Sequence, residues 1–331
     1  MGPYRVAGGT AVVTGAASGI GAALAELLAA RGSDLVLLDR DAERLAAVAG
    51  RIRAAHPSLA VDTTVVDLSD DDATVRVAAD LAAAHPDVTL LVNNAGVALG
   101  GRFDQVTADE FDWLMSINFR AVVTLTRAFL PALKARPGSH LVNVSSIFGI
   151  FAPPGQAAYA ASKFAVRGFS EALRHELAEN GVGVTVVHPG GIKTRIAETV
   201  RVGSGVSAQE YEQGRAQFAK LLTMPPETAA AQIVEAIERR RPRLLIGWSA
   251  KVPDVLVRLL PGSYWRLIAR RAGPCASFGP DAGQRALLAD ACLVLEPDFD
   301  GLVFGVVGEP CRDRCGEVFL KASCAASSVW G

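Results

Sequence analysis

The stretch Thr14-Gly15-Ala16-Ala17-Ser18-Gly19-Ile20-Gly21 stands between the apolar run Ala11 to Val13 and a helical pattern, and it limits what this chain can fold into more than any other feature. A short strand that feeds a helix through a glycine-rich turn is the opening unit of a dinucleotide-binding α/β fold. Gly15 permits the tight turn out of the strand, Gly19 lets the backbone approach a pyrophosphate, and Gly21 lets the new helix pack closely on the sheet. The phosphates then sit at the positive end of that helix. Small residues also make ordinary strand-to-helix connections, so the downstream residues must decide between the two.

Those residues alternate in strand and helix character. Ala22 to Arg31 has helical periodicity with Gly32 as its stop, and Asp34 to Leu38 is a short buried strand. Helices are expected at Asp41 to His56 and Asp70 to His85, and strands at Val61 to Val66 and Val88 to Val92. A long helical region at Thr107 to Ala135, a strand at His140 to Val144, a helix at Ala157 to Asn180 and a strand at Val184 to His188 complete the series. This rhythm predicts a doubly wound parallel sheet, the Rossmann fold, with helices on both faces. Ligands of such sheets bind beyond the carboxyl ends of the strands.

The 331 residues, half of them hydrophobic, suffice for one large α/β domain with a substantial core. A net charge of −1 and the lack of a Lys/Arg cluster argue against a nucleic-acid partner and for a small-molecule ligand. No apolar run reaches the roughly 18 residues of a membrane span, and Met1 to Thr10 lacks the apolar centre of a secretory signal. A cytoplasmic protein is therefore expected. All five cysteines, Cys275, Cys292, Cys311, Cys315 and Cys324, fall in the last part of the chain, so the main domain needs no disulfide. The pair Cys311 and Cys315 is loosely spaced and no paired histidine follows, which leaves no metal site expected.

Asp39 ends the second strand, eighteen residues after Gly21, where a carboxylate can accept hydrogen bonds from the adenosine ribose hydroxyls. It would repel a 2′-phosphate and so favours NAD. Arg40 follows directly and could pair with such a phosphate, which keeps NADP open.

Tyr159 and Lys163 are four residues apart and share one face of the helix that begins near Ala157. A free tyrosine has a pKa of about 10, and a nearby cation favours its phenolate, so the pair can make a general acid/base. Thirteen residues before Tyr159 lies Ser146, just past the strand Leu141-Val142-Asn143-Val144, where its hydroxyl could hydrogen-bond a substrate carbonyl. Taken singly, each is also an ordinary surface or turn residue.

Together these residues resemble the short-chain dehydrogenase/reductase family over roughly residues 8 to 250. Besides the turn at Thr14 to Gly21, the chain has Asp67-Leu68, Asn93-Asn94-Ala95-Gly96 after the fourth strand and Asn118 in the next helix. It then has Ser146, Tyr159 and Lys163, and Pro189-Gly190 followed by Thr194. The resemblance implies that Tyr159 moves the proton to or from the substrate oxygen, and that Lys163 lowers its pKa and contacts the nicotinamide ribose. It implies that Ser146 polarises the substrate oxygen and that Asn118 supports a water leading to Lys163. It further implies that Gly15, Ser18, Gly19, Ile20 and Gly21 hold the pyrophosphate, with Asp67 and Leu68 at the adenine. Asn94, Ala95, Gly96, Pro189 and Gly190 would line the cofactor, with Ile192 and Thr194 fixing the carboxamide. The spacing to Tyr159 selects Ser146 over Ser145.

The implied reaction is the NAD(P)-dependent interconversion of a secondary alcohol and a ketone. The segment Ile147-Phe148-Gly149-Ile150-Phe151-Ala152-Pro153-Pro154 is almost wholly apolar and is expected to border the pocket, which favours a lipophilic substrate, or else to pack into the core or a subunit contact. The expected organisation is a catalytic domain over 1–250 with a substrate lid at 191–224, an amphipathic helix over 251–274, and a poorly ordered tail over 275–331. The amphipathic segment, with Trp265 among Arg258, Arg266, Arg270 and Arg271, is expected to pack on its own domain or another subunit rather than on a membrane surface. The resemblance also implies a homodimer or homotetramer through the helices at 107–135 and 157–180. A sugar-nucleotide epimerase or dehydratase and a dinucleotide sensor without activity remain as alternatives.

Overall fold

Thr10–Thr14 (β1) is buried along its whole length, with Ala11 and Val13 packed into one hydrophobic layer and Val12 into another. The same alternation recurs in Asp34–Asp39 (β2), where Leu35 and Leu37 face one layer and Val36 and Leu38 the other. A strand apolar on both faces must be covered by helices on both sides, which is the condition that fixes this fold. The computed structural model describes residues 2–197 and 199–272. The cysteine-containing tail expected over 275–331 lies outside the described residues.

Gly19–Ala30 (α1) connects β1 to β2, and Ala42–Ala55 (α2) leads to Val61–Val65 (β3). Asp71–Ala84 (α3) leads to Val88–Asn93 (β4), which lies on the other side of β1. The two-residue strand Leu99–Gly100 (β5) is followed by Ala108–Met115 (α4) and Ala121–Ala135 (α5). His140–Val144 (β6), Ala157–Glu176 (α6) and Gly183–Pro189 (β7) continue the series. Beyond Arg201–Val202 (β8) and Ala208–Leu221 (α7) come Pro226–Glu238 (α8), Arg243–Ile246 (β9), Trp248–Leu259 (α9) and Tyr264–Ala272 (α10). The main sheet is parallel with seven strands in the order β3-β2-β1-β4-β6-β7-β9. Its direction of growth reverses between β1 and β4, which opens a crevice above their carboxyl ends.

Helices α1, α2 and α8 cover one face through Leu24, Leu28, Leu45, Ile52 and Ile233. Helices α3, α5 and α6 cover the other through Ala78, Leu125, Phe129 and Leu173. Side-chain caps set several helix starts: Asp41 accepts from the Arg44 N–H, Asp70 from the Ala73 N–H, and Thr107 and Glu110 cap each other's backbone.

Several elements differ from expectation. The helical region at 107–135 is broken by a π-helical turn at Ser116–Arg120, which places Asn118 inside the widened turn. The amphipathic segment expected over 251–274 is two helices, because Pro261 has no N–H to give and Pro261-Gly262 lies in the turn between α9 and α10. Helix α8 and strand β9 were not anticipated. The helix carries Pro225-Pro226 at its start and an apolar stripe at Ala229, Ala230, Ile233, Val234 and Ile237, a helical period that was passed over, and the four-residue Arg-Leu-Leu-Ile strand is too short to show a period.

Candidate active site

The glycine turn folds as its spacing requires. Gly15 and Gly19 adopt positive φ angles of 66° and 55°, a region in which L side chains are strained. A Cβ on Gly21 would lie 2.0 Å from the Gly15 carbonyl oxygen and 2.6 Å from Asn94 Nδ2, so only glycine allows α1 to approach β1 and β4 this closely. Helix α1 has no side-chain cap and no acidic residue in its first turn, unlike α2 and α3. Its first N–H groups and positive dipole end therefore face the crevice. A glycine cradle before a bare helix N-terminus fits a pyrophosphate.

Thr14 holds the crevice together. Its Oγ1 accepts from the Asn94 and Ala95 N–H groups at 3.0 and 2.9 Å, while Asn94 Nδ2 donates to the Thr14 carbonyl at 2.9 Å. Asp39 ties the other side: its Oδ2 accepts from the Ala17 N–H at 2.9 Å and its Oδ1 from the Asp41 N–H at 3.0 Å. The carboxylate is thus fixed, with lone pairs to spare, at the mouth of the same cavity that Arg40 and Asp67 line.

At the far end of that cavity the strand β6 delivers two serines with different tasks. Ser145 Oγ donates to the Lys163 carbonyl at 2.8 Å, buried, and is committed to anchoring α6. Ser146 Oγ accepts the Phe148 N–H at 3.2 Å, keeps its own proton for another acceptor, and lines the cavity. Tyr159 and Lys163 lie one turn apart on α6, both buried and both lining the cavity. Lys163 Nζ donates to the Val144 carbonyl at 3.2 Å and lies 5.8 Å from the centre of the Tyr159 ring.

Asn118 is fully buried. It accepts from the Val97 N–H at 2.9 Å, and its Nδ2 donates to the Val97 carbonyl and to Ser162 Oγ, each at 3.0 Å. A Cβ on Gly96 would stand 3.1 Å from Lys163 Nζ and 3.3 Å from Asn118 Oδ1, so both groups converge on one point of the backbone.

Burial dominates the titration of the pair. It raises the Tyr159 phenol above its ordinary value, offset in part by Ser146, and lowers Lys163 to about 8. The expectation that Lys163 favours the phenolate is thus outweighed in the protein alone by desolvation. At neutral pH the tyrosine is a protonated phenol.

The cavity, of about 1070 Å³, brings together nearly all the residues singled out from the sequence. Gly15, Ser18, Gly19 and Ile20 lie on its floor, with Asp39, Arg40, Asp67 and Leu68 at one end. Asn94, Ala95 and Gly96 line it after β4, Ser146 after β6, Tyr159 and Lys163 from α6, and Pro189, Gly190, Ile192 and Thr194 from the end of β7 onward. Gly21 and Asn118 stand behind the wall, where they shape it. Of the apolar segment, Ile147, Phe148, Phe151, Pro153 and Pro154 face the cavity, whereas Ile150 is buried outside its lining. The Phe148 ring meets Tyr159 edge-on at 6.0 Å and Phe151 at 5.4 Å.

The segment expected as a substrate lid is pinned at Gly203-Ser204-Gly205. Gly203 donates to the Gly100 carbonyl at 2.8 Å, Gly205 to the Gln105 carbonyl at 3.0 Å, and β8 pairs with β5. Glu210 of α7 accepts from Gln105 Nε2 and from the Ser207 N–H. Sequence reasoning missed Thr14 as a clamp, although it is the hydroxyl residue at the end of the first strand. It also missed Trp265 and Ile268 of α10, which line the cavity and carry no signal that a local pattern could give. Among the described residues no cluster of metal-ligating side chains occurs.

Residues 9–204 match the short chain dehydrogenase family. SadH of Mycobacterium tuberculosis (strain ATCC 25618 / H37Rv), named as a candidate oxidoreductase, is 40% identical over 266 residues, 79% of this chain and 94% of that protein. The solved structure of a short chain dehydrogenase/reductase from Burkholderia phymatum, in complex with NAD, superposes with a TM-score of 0.69 at 30% identity, covering 78% of this chain and 95% of that one. A short-chain dehydrogenase from Sphingobium yanoikuyae in complex with NADPH gives 0.64 at 28% identity, covering 78% of this chain and 94% of the other.

Proposed function

The chain belongs to the short-chain dehydrogenase/reductase family, and from that premise we propose that it interconverts a lipophilic secondary alcohol and its ketone with NAD(P). One juxtaposition carries the reading: Ser146, Tyr159 and Lys163 share a single cavity with the glycine cradle at Gly15 to Gly21. A bound nicotinamide dinucleotide supplies or accepts the hydride at the carbon that bears the oxygen.

The protein's own groups do the rest. Ser146 donates a hydrogen bond to the substrate oxygen, keeping its own proton, and holds that oxygen within reach of Tyr159. Tyr159, kept protonated by burial, gives its proton to that oxygen in the reductive direction and takes it back in the oxidative one. Lys163 places a cation beside the phenol and stabilises the phenolate left behind. Asn118 fixes Val97 and Gly96 around the lysine, and with them the path by which a water reaches Nζ. The apolar wall of Phe148, Phe151, Trp265 and Ile268 supports a lipophilic substrate. The anchored Asp39 carboxylate supports NAD over NADP, since a 2′-phosphate would meet a like charge. A cytoplasmic homodimer or homotetramer through α4, α5 and α6 belongs to the same reading, and the exposed Phe164 of α6 supports it.

The test follows nicotinamide absorbance with NAD(H) and NADP(H) across secondary alcohols and ketones of increasing lipophilicity, for the native protein and Tyr159→Phe. Turnover that disappears in the variant is the expected result. Cofactor binding without turnover in either direction would sink the reading in favour of a sensor.

A further inference from the structure

Trp248, Val252, Val255 and Leu259 of α9 are exposed by 78%, 47%, 40% and 52%. Their spacing of four, three and four residues puts them in one row along the helix. The opposite side of α9 holds the buried Ala250 and Asp254, and Asp254 is bound by Arg243 at 2.5 Å and Arg258 at 3.3 Å. The single acid of α9 is therefore turned inward and neutralised. Lys251 and Arg258 border the apolar row, and Arg266 is exposed on α10. From Trp248 to Ala272 the chain has five basic residues and this one acid.

An apolar row edged by cations, with a tryptophan at one end, has the chemistry of a helix that lies in the surface of an anionic lipid layer. A second copy is a poorer occupant. A two-fold contact would set row against row and bring Lys251 and Arg258 against their own kind. The cavity points the same way. Helix α10 follows α9 after a short turn at 260–263, and it supplies Trp265 and Ile268 to the apolar cavity wall. No helix among the described residues is long and apolar enough to cross a membrane, so the contact is peripheral.

We propose that α9 docks the protein on an anionic lipid surface and thereby sets the cavity wall formed by α10 beside the lipid from which a lipophilic substrate partitions. The proposal rests on the lipophilic-substrate reading above.

The experiment is flotation of the full chain with phosphatidylcholine vesicles, with and without phosphatidylglycerol. The native protein is expected to float with the anionic vesicles and to stay behind with the neutral ones. Val252→Asp/Leu259→Asp should abolish flotation, and Lys251→Glu/Arg266→Glu should weaken it about tenfold. Both variants should reduce a water-soluble ketone at the native rate in vesicle-free buffer, which shows that they fold. Loss of that activity in the native protein would strike the oxidoreductase reading, while flotation would still report on docking. Equal flotation on both vesicle types, or none on either, overturns the proposal. So does a native dimer in sedimentation that Val252→Asp/Leu259→Asp splits, since the row would then belong to a second copy.

Discussion

His188 donates its Nδ1 proton to the main-chain carbonyl of Ser146 at 2.9 Å, from the end of β7 to the turn that follows β6. A carbonyl can only accept, so the bond fixes the tautomer and leaves Nε2 a buried acceptor without a partner. Arg167 approaches the other end of the same turn through the Gly149 carbonyl at 3.4 Å. The histidine is thereby a positioning residue for Ser146, which touches the cavity where His188 does not. His188→Leu should lower kcat about tenfold, the loss of one buried hydrogen bond of roughly 1 to 1.5 kcal/mol, and leave the KM for cofactor unchanged. Partial rescue in His188→Asn, which restores a donor, would separate positioning from general destabilisation in steady-state kinetics. A kcat that is the same in all three proteins would refute it.

The same histidine makes the fold acid-sensitive. Burial lowers His188 from 6.5 to about 4 and His140 from 6.5 to about 3. His140 sits at the start of β6, with Nε2 paired to Thr185 Oγ1 at 2.8 Å. Both are neutral when folded at pH 5 and protonated when unfolded. The unfolded state therefore binds more protons between the two values, and stability falls as the pH drops from about 6.5 toward 4 and 3. The expected cost is on the order of 3 kcal/mol for each by pH 4. Thermal unfolding from pH 7 to 4 should show it, and a variant without His188 should lose less stability over that range than the native protein.

The two serines after β6 should separate cleanly on substitution. Ser146→Ala removes a hydroxyl from the cavity and should cut kcat by about a hundredfold or more while the melting temperature holds. Ser145→Ala removes the donor to the Lys163 carbonyl and should cost about 1 kcal/mol of stability with a smaller effect on kcat. Kinetics and calorimetry on both variants measure this. The reverse pattern would mean that the thirteen-residue spacing had picked the wrong hydroxyl.

The site was legible from the sequence because its chemistry is bound to local spacing. Gly15, Gly19 and Gly21 are set by one turn, and Tyr159 and Lys163 by one turn of α6. The unbroken apolar runs at Ala11 to Val13 and Leu35 to Leu38 likewise marked strands buried in the sheet, while which side chain faces which layer came only with the structure. What escaped depends on contacts distant in the chain. Asn118 could be named, but not the π-helical turn that holds it against Val97. Trp265 and Ile268 reach the cavity only because Pro261 ends α9 and lets α10 turn back. The sense of the Tyr159 shift was also hidden, since spacing shows the nearby cation but not the burial that outweighs it.

Gly21→Ala tests the cradle most sharply. The added methyl would meet the Gly15 carbonyl oxygen at 2.0 Å and Asn94 Nδ2 at 2.6 Å, and a Cβ has no torsion by which to avoid them. Helix α1 must then move away from β1, and the N–H groups at its start move with it. Dinucleotide affinity should fall by about tenfold or more, and stability by about 1 to 3 kcal/mol, the usual cost of an overpacked site. Gly50→Ala is the matching control. It lies within α2, nothing stands within 4 Å of its added methyl, and alanine there should raise stability by about 0.5 to 1 kcal/mol. Fluorescence titration with NADH and thermal unfolding on both variants give the comparison. If Gly21→Ala bound NADH as tightly as Gly50→Ala, the close approach of α1 would not be what holds the pyrophosphate.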